Sequence, residues 1–301
     1  MALDRMFLKA YGKINLALDV LRKREDGYHD VRMIMQTVGI YDGIELEKTD
    51  TGKIEITTNI FYLPTNENNI VYKAAKLLFD EFHIQSGIRI SLNKFIPVSA
   101  GMAGGSTDAA SVLFGINKMF DLNLSVKELM ERGVKLGADV PYCIMRGTAL
   151  SEGIGEKLKR LPDMVKCPVL IAKPPISVST KFVYENLKID EIEKHPDIDG
   201  MIDAIQKKDL KGIASKMENV LETVTVKEYP QIEDIKKVML EEHALNALMS
   251  GSGPTVFGLF EQEQDAYAAK ERIKQLNYAK QVYVTEMFLP QRRNERKGKK
   301  G

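Results

Sequence analysis

The stretch Ile88–Met119, IRISLNKFIPVSAGMAGGSTDAASVLFGINKM, joins three segments with different local preferences. Ile88–Pro97 alternates apolar and polar residues with strand period, and Thr107–Met119 carries apolar residues at helical spacing. Between them the chain is small and glycine-rich. This order dictates a strand, a tight loop and a helix in immediate succession. Gly101, Gly104 and Gly105 remove the Cβ atoms that would hold a ligand away from the backbone. Their N–H groups, with those of Ser106 and Thr107, can converge on an anion at the positive end of the helix dipole. Ser106, Thr107 and Asp108 suit a helix start as caps or as phosphate contacts. No lysine follows Gly105 as a Walker loop requires, and the spacing is not GxGxxG. Taken alone, the stretch reads as an ordinary turn or as a phosphate cradle.

Strand and helix patterns interleave elsewhere. Gly43–Asn59 alternates on both sides of a turn at Asp50–Gly52 and predicts a hairpin. Asn69–Phe82 has helical spacing, and Ser125 with Glu128 forms a capping box opening a helix that Gly137 would stop. An irregular stretch with two prolines, Leu161–Pro168, marks a boundary. Beyond it VLIAKP reads as a buried strand, Met201–Val220 and Gln231–Glu242 as helical, and Asn246–Phe260 as strand, glycine turn, strand. A helix within EQDAYAAKERIKQL and a closing strand AKQVYVTEMF complete the pattern. This mixture predicts an α+β chain of two domains, 1–162 and 163–290.

Charge excludes some partners. Lys+Arg 43 against Asp+Glu 42 gives a net charge of +1, so the body offers no field for nucleic acid or a membrane surface. The exception is QRRNERKGKKG, 291–301, which reads as a disordered, solvated basic tail. There is no run of about 18 apolar residues and no signal-peptide core. Cys143 and Cys167 form no disulfide framework or metal spacing, which fits a reducing, cytoplasmic setting with both thiols as small buried residues.

Four further motifs can carry chemistry. In YGKINLALDV, Lys13 and Asn15 lie two apart on a strand and share a face. Tyr28 and His29 follow a D-G turn and can stack on and hydrogen-bond a base, or lie idle at the surface. In KLGADVPYC, Asp139 sits on a short segment stiffened by Pro141 and reads as a base, a metal ligand or a local cap. MSGSGPTVF is either a hairpin turn or a second backbone surface against phosphates.

The order YGKINL, DGYH, IPVSAGMAGGSTDAA, LGADVP, GSGPTVF resembles the GHMP kinase superfamily over about Phe7 to Phe288. DGYH and LGADVP narrow the likeness to the branch whose acceptor is a cytidine-diphosphate-linked methylerythritol, used in non-mevalonate isoprenoid synthesis. The alternative is another small-molecule GHMP kinase, of homoserine or mevalonate type. The resemblance implies an N-terminal domain like the second domain of ribosomal protein S5, a ferredoxin-like C-terminal domain, and an active site between them. It implies ATP with Mg²⁺ bridging its phosphates, metal ligands unknown and Ser106 the nearest hydroxyl, and a small-molecule acceptor. It leaves monomer and homodimer open.

By the same resemblance, Pro97, Val98, Ser99, Ala100, Gly101, Met102, Ala103, Gly104, Gly105, Ser106 and Thr107 hold the ATP phosphates. Ser99, Ala100 and Ala103 stand where some members have glycine. Asn68 lies at the adenine, with Lys94 helping there. Asp139 is the base or orienter of the acceptor hydroxyl, and Lys13 its partner, keeping it ionised and stabilising the transferring phosphoryl. Asn15, Tyr28 and His29 hold the cytidine end, Tyr184 sandwiches the cytosine from the other side, and Thr180 lies one helical turn before Tyr184.

Overall fold

The computed structural model describes residues 3–290, so the basic tail expected at 291–301 lies outside the described residues. The first half runs β1 (Arg5–Lys23), β2 (His29–Thr49), β3 (Ile54–Thr58), α1 (Ile70–Glu81), β4 (Gly87–Asn93), α2 (Gly104–Met119), α3 (Val126–Gly133), α4 (Val140–Met145), β5 (Thr148–Gly153) and β6 (Lys157–Arg160). The second half runs β7 (Pro168–Lys173), α5 (Thr180–Asn186), α6 (Ile198–Lys207), α7 (Leu210–Ser215), β8 (Glu218–Asn219), α8 (Glu222–Glu228), α9 (Gln231–Glu241), β9 (Asn246–Met249), β10 (Val256–Leu259), α10 (Glu263–Gln275) and β11 (Gln281–Glu286).

Two sheets organise these elements. The first has the order β3-β4-β2-β1-β8, with β5 and β6 continuing from the other half of β2. The second is antiparallel with the order β11-β7-β10-β9. Numbered within that sheet the order is 4-1-3-2, the ferredoxin-like arrangement. Helices α1 and α2 pack together and lay Val71, Ala74, Leu78, Val112, Leu113 and Ile116 against Ile44, Leu46, Ile88 and Ile90 of the first sheet. A second apolar cluster joins the halves: Ile14 and Leu16 of β1 pack with Val169, Phe257 and Leu259 of the second sheet. This double covering is why β1 is buried on both faces from Gly12 to Val20.

The hairpin expected over Gly43–Asn59 does not form. Strand β4 lies between β2 and β3, pairing antiparallel with β2 from Gly43↔Asn93 to Thr49↔Gly87 and parallel with β3. Alternation correctly marked both strands, but alternation does not choose a neighbour. The short link after Thr49 spans two strand spacings of about 4.8 Å, and β4 fills the gap with Ile88, Ile90 and Leu92 facing the core. Helix α3 opens on the Ser125–Glu128 capping box but ends at Gly133 rather than Gly137, since the amides of both Leu136 and Gly137 already turn back on the Gly133 carbonyl. The helical run from Met201 breaks into α6 and α7 at Lys208, which is left-handed, and ends in β8. β8 pairs parallel with β1, bringing the second half back onto the first sheet.

Candidate active site

Helix α2 starts at Gly104, three residues before the spacing indicated, so Gly104, Gly105 and Ser106 form its first turn. Its N-cap is Ala103, left-handed at φ 55°, with no side-chain cap, which leaves the first amides of the helix without a side-chain partner. Asp108 therefore lies past the first turn and is not a cap.

The loop's glycines have different reasons to be glycine. A Cβ on Gly101, at φ +71°, would come within 2.0 Å of the Ser250 carbonyl oxygen, and Ser250 Oγ donates to the Gly101 carbonyl at 2.9 Å. Gly101 thus locks the loop onto the glycine turn between β9 and β10, while a Cβ on Gly105 would meet only Ile70, at 3.5 Å. Gly101→Ala should lower Tm and raise KM for ATP, since left-handed backbone alone costs an alanine about 1–2 kcal/mol. Unchanged melting and unchanged KM would contradict this account of the loop.

The loop is a wall between two compartments. The smaller, about 260 Å³, is lined by Leu63, Pro64, Asn68, Lys94, Pro97 and Val98 among others. The larger, about 1000 Å³, is lined by Lys13, Asn15, Tyr28, His29, Asp139, Thr180 and Tyr184, with Ala100, Gly101, Ala103 and Ser106 of the loop. Ser99, Gly104, Gly105 and Ile70 line both. Met102 and Thr107, expected at the phosphates, line neither: each is 1% exposed, Met102 in the apolar cluster between the halves. The Met102 carbonyl accepts from Lys13 N at 3.1 Å and so ties the loop to β1.

Lys13 and Asn15 do share a face, and the Lys13 ammonium donates to Asn15 Oδ1 at 2.7 Å. Register irregularities between Tyr11 and Lys13 and between Asn15 and Ala17 bracket the pair, as bulges beside functional sites often do. Lys13 and Asp139 line the same compartment, and among the described residues no ion pair joins them directly. Asp139 is the N-cap residue of α4, yet its side chain makes no capping bond. Among the described residues its carboxylate has no hydrogen-bond or ion-pair partner, which leaves it available to a ligand.

The aromatic residues gather at the other end of the larger compartment. The His29 and Tyr184 rings lie 5.0 Å apart at 36°, too close for a third ring to lie between them. Burial, and then Lys23 nearby, lowers the His29 pKa and favours the neutral imidazole, and burial raises the Tyr184 hydroxyl. Tyr28 is 59% exposed at the rim. Thr180 Oγ1 lies 2.8 Å from Ser252 Oγ, which brings the GSGP turn into the same wall.

Lys94 is held below the smaller compartment by two acids. Its ammonium bonds Asp108 Oδ2 at 2.6 Å and also Asp42 Oδ2. Asp42 Oδ1 accepts from Phe95 N at 2.5 Å and Ile96 N at 2.8 Å. All three side chains are almost fully buried. Burial pulls the Lys94 ammonium down, but Asp108 and Asp42 outweigh it and leave its pKa raised. Burial pushes the Asp108 carboxyl well above the usual carboxylate range, against Lys94 and with Asp42 adding to the rise. The cluster ties the exit of β4 to helix α2, the two ends of the loop. Sequence reasoning missed Asp42 and this role of Asp108, since nothing local marks partners 52 and 14 residues from Lys94.

Cys143 and Cys167 are free and buried as expected, burial raising both thiols. Among the described residues no helix is long and apolar enough to cross a membrane.

Comparison with known proteins extends the geometry. The family described as GHMP kinases N terminal domain matches residues 69–147, and GHMP kinases C terminal matches 201–279. A 4-diphosphocytidyl-2-C-methyl-D-erythritol kinase of Lachnospira eligens is 58% identical over 288 residues, covering 96% of this chain and 100% of the relative. The enzyme of the same name from Lachnoclostridium phytofermentans is 60% identical over 286 residues, 95% and 98% of the two chains. A crystal structure of 4-(cytidine 5'-diphospho)-2C-methyl-D-erythritol kinase superposes with a TM-score of 0.82 at 28% identity, covering 95% of this chain and all of that one. Homoserine kinase from Cytophaga hutchinsonii, at TM-score 0.77 and 20% identity over 95% and 96% of the chains, shares the fold.

Proposed function

The chain belongs to the GHMP kinases and, within them, to the 4-diphosphocytidyl-2-C-methyl-D-erythritol kinases, and from that premise we propose how its own residues divide the work. The enzyme moves the γ-phosphoryl group of ATP to the C2 hydroxyl of the methylerythritol moiety, giving the 2-phosphate for isoprenoid precursor synthesis in the cytoplasm. The observation that carries the residue assignment is the shared wall: one loop, Ser99–Gly105, faces a small compartment on one side and a large acceptor compartment on the other. A phosphoryl group held on that loop is presented to both.

In this reading adenine occupies the smaller compartment beside Asn68, with Lys94 setting its floor rather than binding phosphate. The phosphates lie on the loop and on the uncapped first turn of α2, using backbone amides in place of a Walker lysine. Asp139 accepts the acceptor's hydroxyl proton or orients that hydroxyl. Lys13, held by Asn15 at the junction of loop and β1, stabilises charge on the transferring phosphoryl. Positioning and electrostatics suffice for phosphoryl transfer. Among the described residues no group of three or more His, Cys, Asp or Glu could hold a metal. Mg²⁺ accompanying ATP would need few protein ligands, and the Ser106 hydroxyl, which lines the larger compartment, would be the protein contact. When bound, the ion neutralises phosphate charge.

The cytidine end stacks on the outer faces of Tyr184 and Tyr28, near neutral His29 and Thr180. Base stacking is worth about 1–3 kcal/mol per aromatic, so Tyr184→Ala and Tyr28→Ala should each raise KM for the cytidine-linked acceptor by about 5- to 150-fold. KM for ATP should stay within about twofold. Steady-state kinetics in both substrates checks this, and equal changes in both KM values would remove the base from these rings.

A further inference from the structure

On another face of the molecule lies a cleft of about 1150 Å³ that shares no lining residue with either compartment above. It runs between the first half of β1, helix α2 and the end of α4 on one side and β11 with Met287–Leu289 on the other. Its charge is unusual for this protein. Of the nine arginines among the described residues, seven pair with a carboxylate. The other two are Arg146 and Arg160, of which Arg146 lines the cleft. Arg146 lies over the Tyr11 ring at 5.5 Å and donates to the Lys9 carbonyl at 3.3 Å. Arg160 donates to the carbonyls of Arg146 at 3.2 Å and Met145 at 2.6 Å. Lys9, also lining the cleft, has no carboxylate partner among the described residues, and its ammonium lies 4.4 Å over the Tyr41 ring.

The cleft's acids do not cancel these charges. Glu286 pairs with Lys166 at 2.7 Å, which leaves Glu263 as the other lining carboxylate. Burial lowers the Arg146 guanidinium, a cost that an anion would relieve. On the same side as the cations, Phe7 is 62% and Phe114 40% exposed, both lining the cleft. An apolar shelf beside a guanidinium fork and an ammonium, neither paired with a carboxylate among the described residues, matches one chemistry: a phosphate on an aromatic or apolar body.

We propose that this cleft is a second ligand site, taking a small organic phosphate with its phosphoryl group on Arg146 and Lys9 and its apolar body on Phe7 and Phe114. Arg146 is the C-cap of α4 and Asp139 its N-cap, so an occupant sits one six-residue helix away from the proposed base. The site does not depend on the assignment of the substrate compartments.

The test is a fluorescence titration of the full chain with 1-naphthyl phosphate, with and without a saturating non-hydrolysable ATP analogue. Saturable binding that persists with the analogue present, weakens with added salt, and loses about tenfold or more in affinity in Arg146→Gln is the expected result. Lys9→Gln, at an exposed side chain, should weaken binding in the same direction and keeps the test decisive if Arg146→Gln melts early. Binding abolished by the analogue, or unchanged in both variants, would overturn the proposal.

Discussion

Asp139→Asn should lower kcat by at least about two decades, as expected for loss of a general base, while leaving Tm and KM for ATP close to those of the parent. The separation of effects follows from the geometry. The Asp139 carboxylate caps nothing and pairs with nothing among the described residues, although its residue begins α4. An acid with no structural partner lining a substrate compartment costs little to remove from the fold and much to remove from the reaction. Asparagine keeps the size and can still accept a hydrogen bond from a hydroxyl, but it cannot take the proton. A fall of tenfold or less would favour orientation over proton transfer, and near-normal turnover would end the assignment.

The largest stability effect should come from Asp42. Replacing it with leucine leaves Phe95 N and Ile96 N without their acceptor and leaves the buried Lys94 ammonium with Asp108 alone. Breaking a buried pair of this kind costs about 3–5 kcal/mol, which corresponds to a fall in Tm of roughly 10 °C. Since the cluster ties both ends of the phosphate loop, KM for ATP should rise together with the loss of stability. Asp108→Asn provides the contrast. The Asp108 carboxyl is pushed toward its neutral form by burial, and the amide imitates that form, so this variant should melt within a few degrees of the parent. Thermal melts of the two variants decide it. Equal losses would show that Asp108 acts as a full negative charge, and no loss in Asp42→Leu would show that the loop is fixed by other contacts.

What was legible in the sequence followed the range of the interactions. Period-two spacing put Lys13 and Asn15 on one face, and they meet at 2.7 Å. The Ser125–Glu128 capping box is a three-residue affair and opens α3 as read. The GHMP likeness rested on the order of several motifs, and relatives of 58–60% identity bear it out. The failures were of longer reach. The alternation of Gly43–Asn59 could not reveal that β4 would intervene, because neighbour choice in a sheet depends on a strand 30 or more residues on. Glycine at 101 was read as room for a ligand. The structure gives it a second reason, contact with Ser250, which is 149 residues away. The Asp42–Lys94–Asp108 cluster left no local trace at all.

The central claim is that one loop hands a phosphoryl group from ATP to a hydroxyl in the larger compartment. The most direct measurement is ³¹P NMR of the purified chain with Mg·ATP and an equimolar mixture of 4-diphosphocytidyl-2-C-methyl-D-erythritol, homoserine and mevalonate, run in parallel with Asp139→Asn. The account predicts a new phosphomonoester on the cytidine-linked acceptor alone, formed with stoichiometric ADP by the parent and at least about a hundredfold more slowly by the variant. Phosphorylation of homoserine or mevalonate in preference, or a variant as fast as the parent, would contradict it.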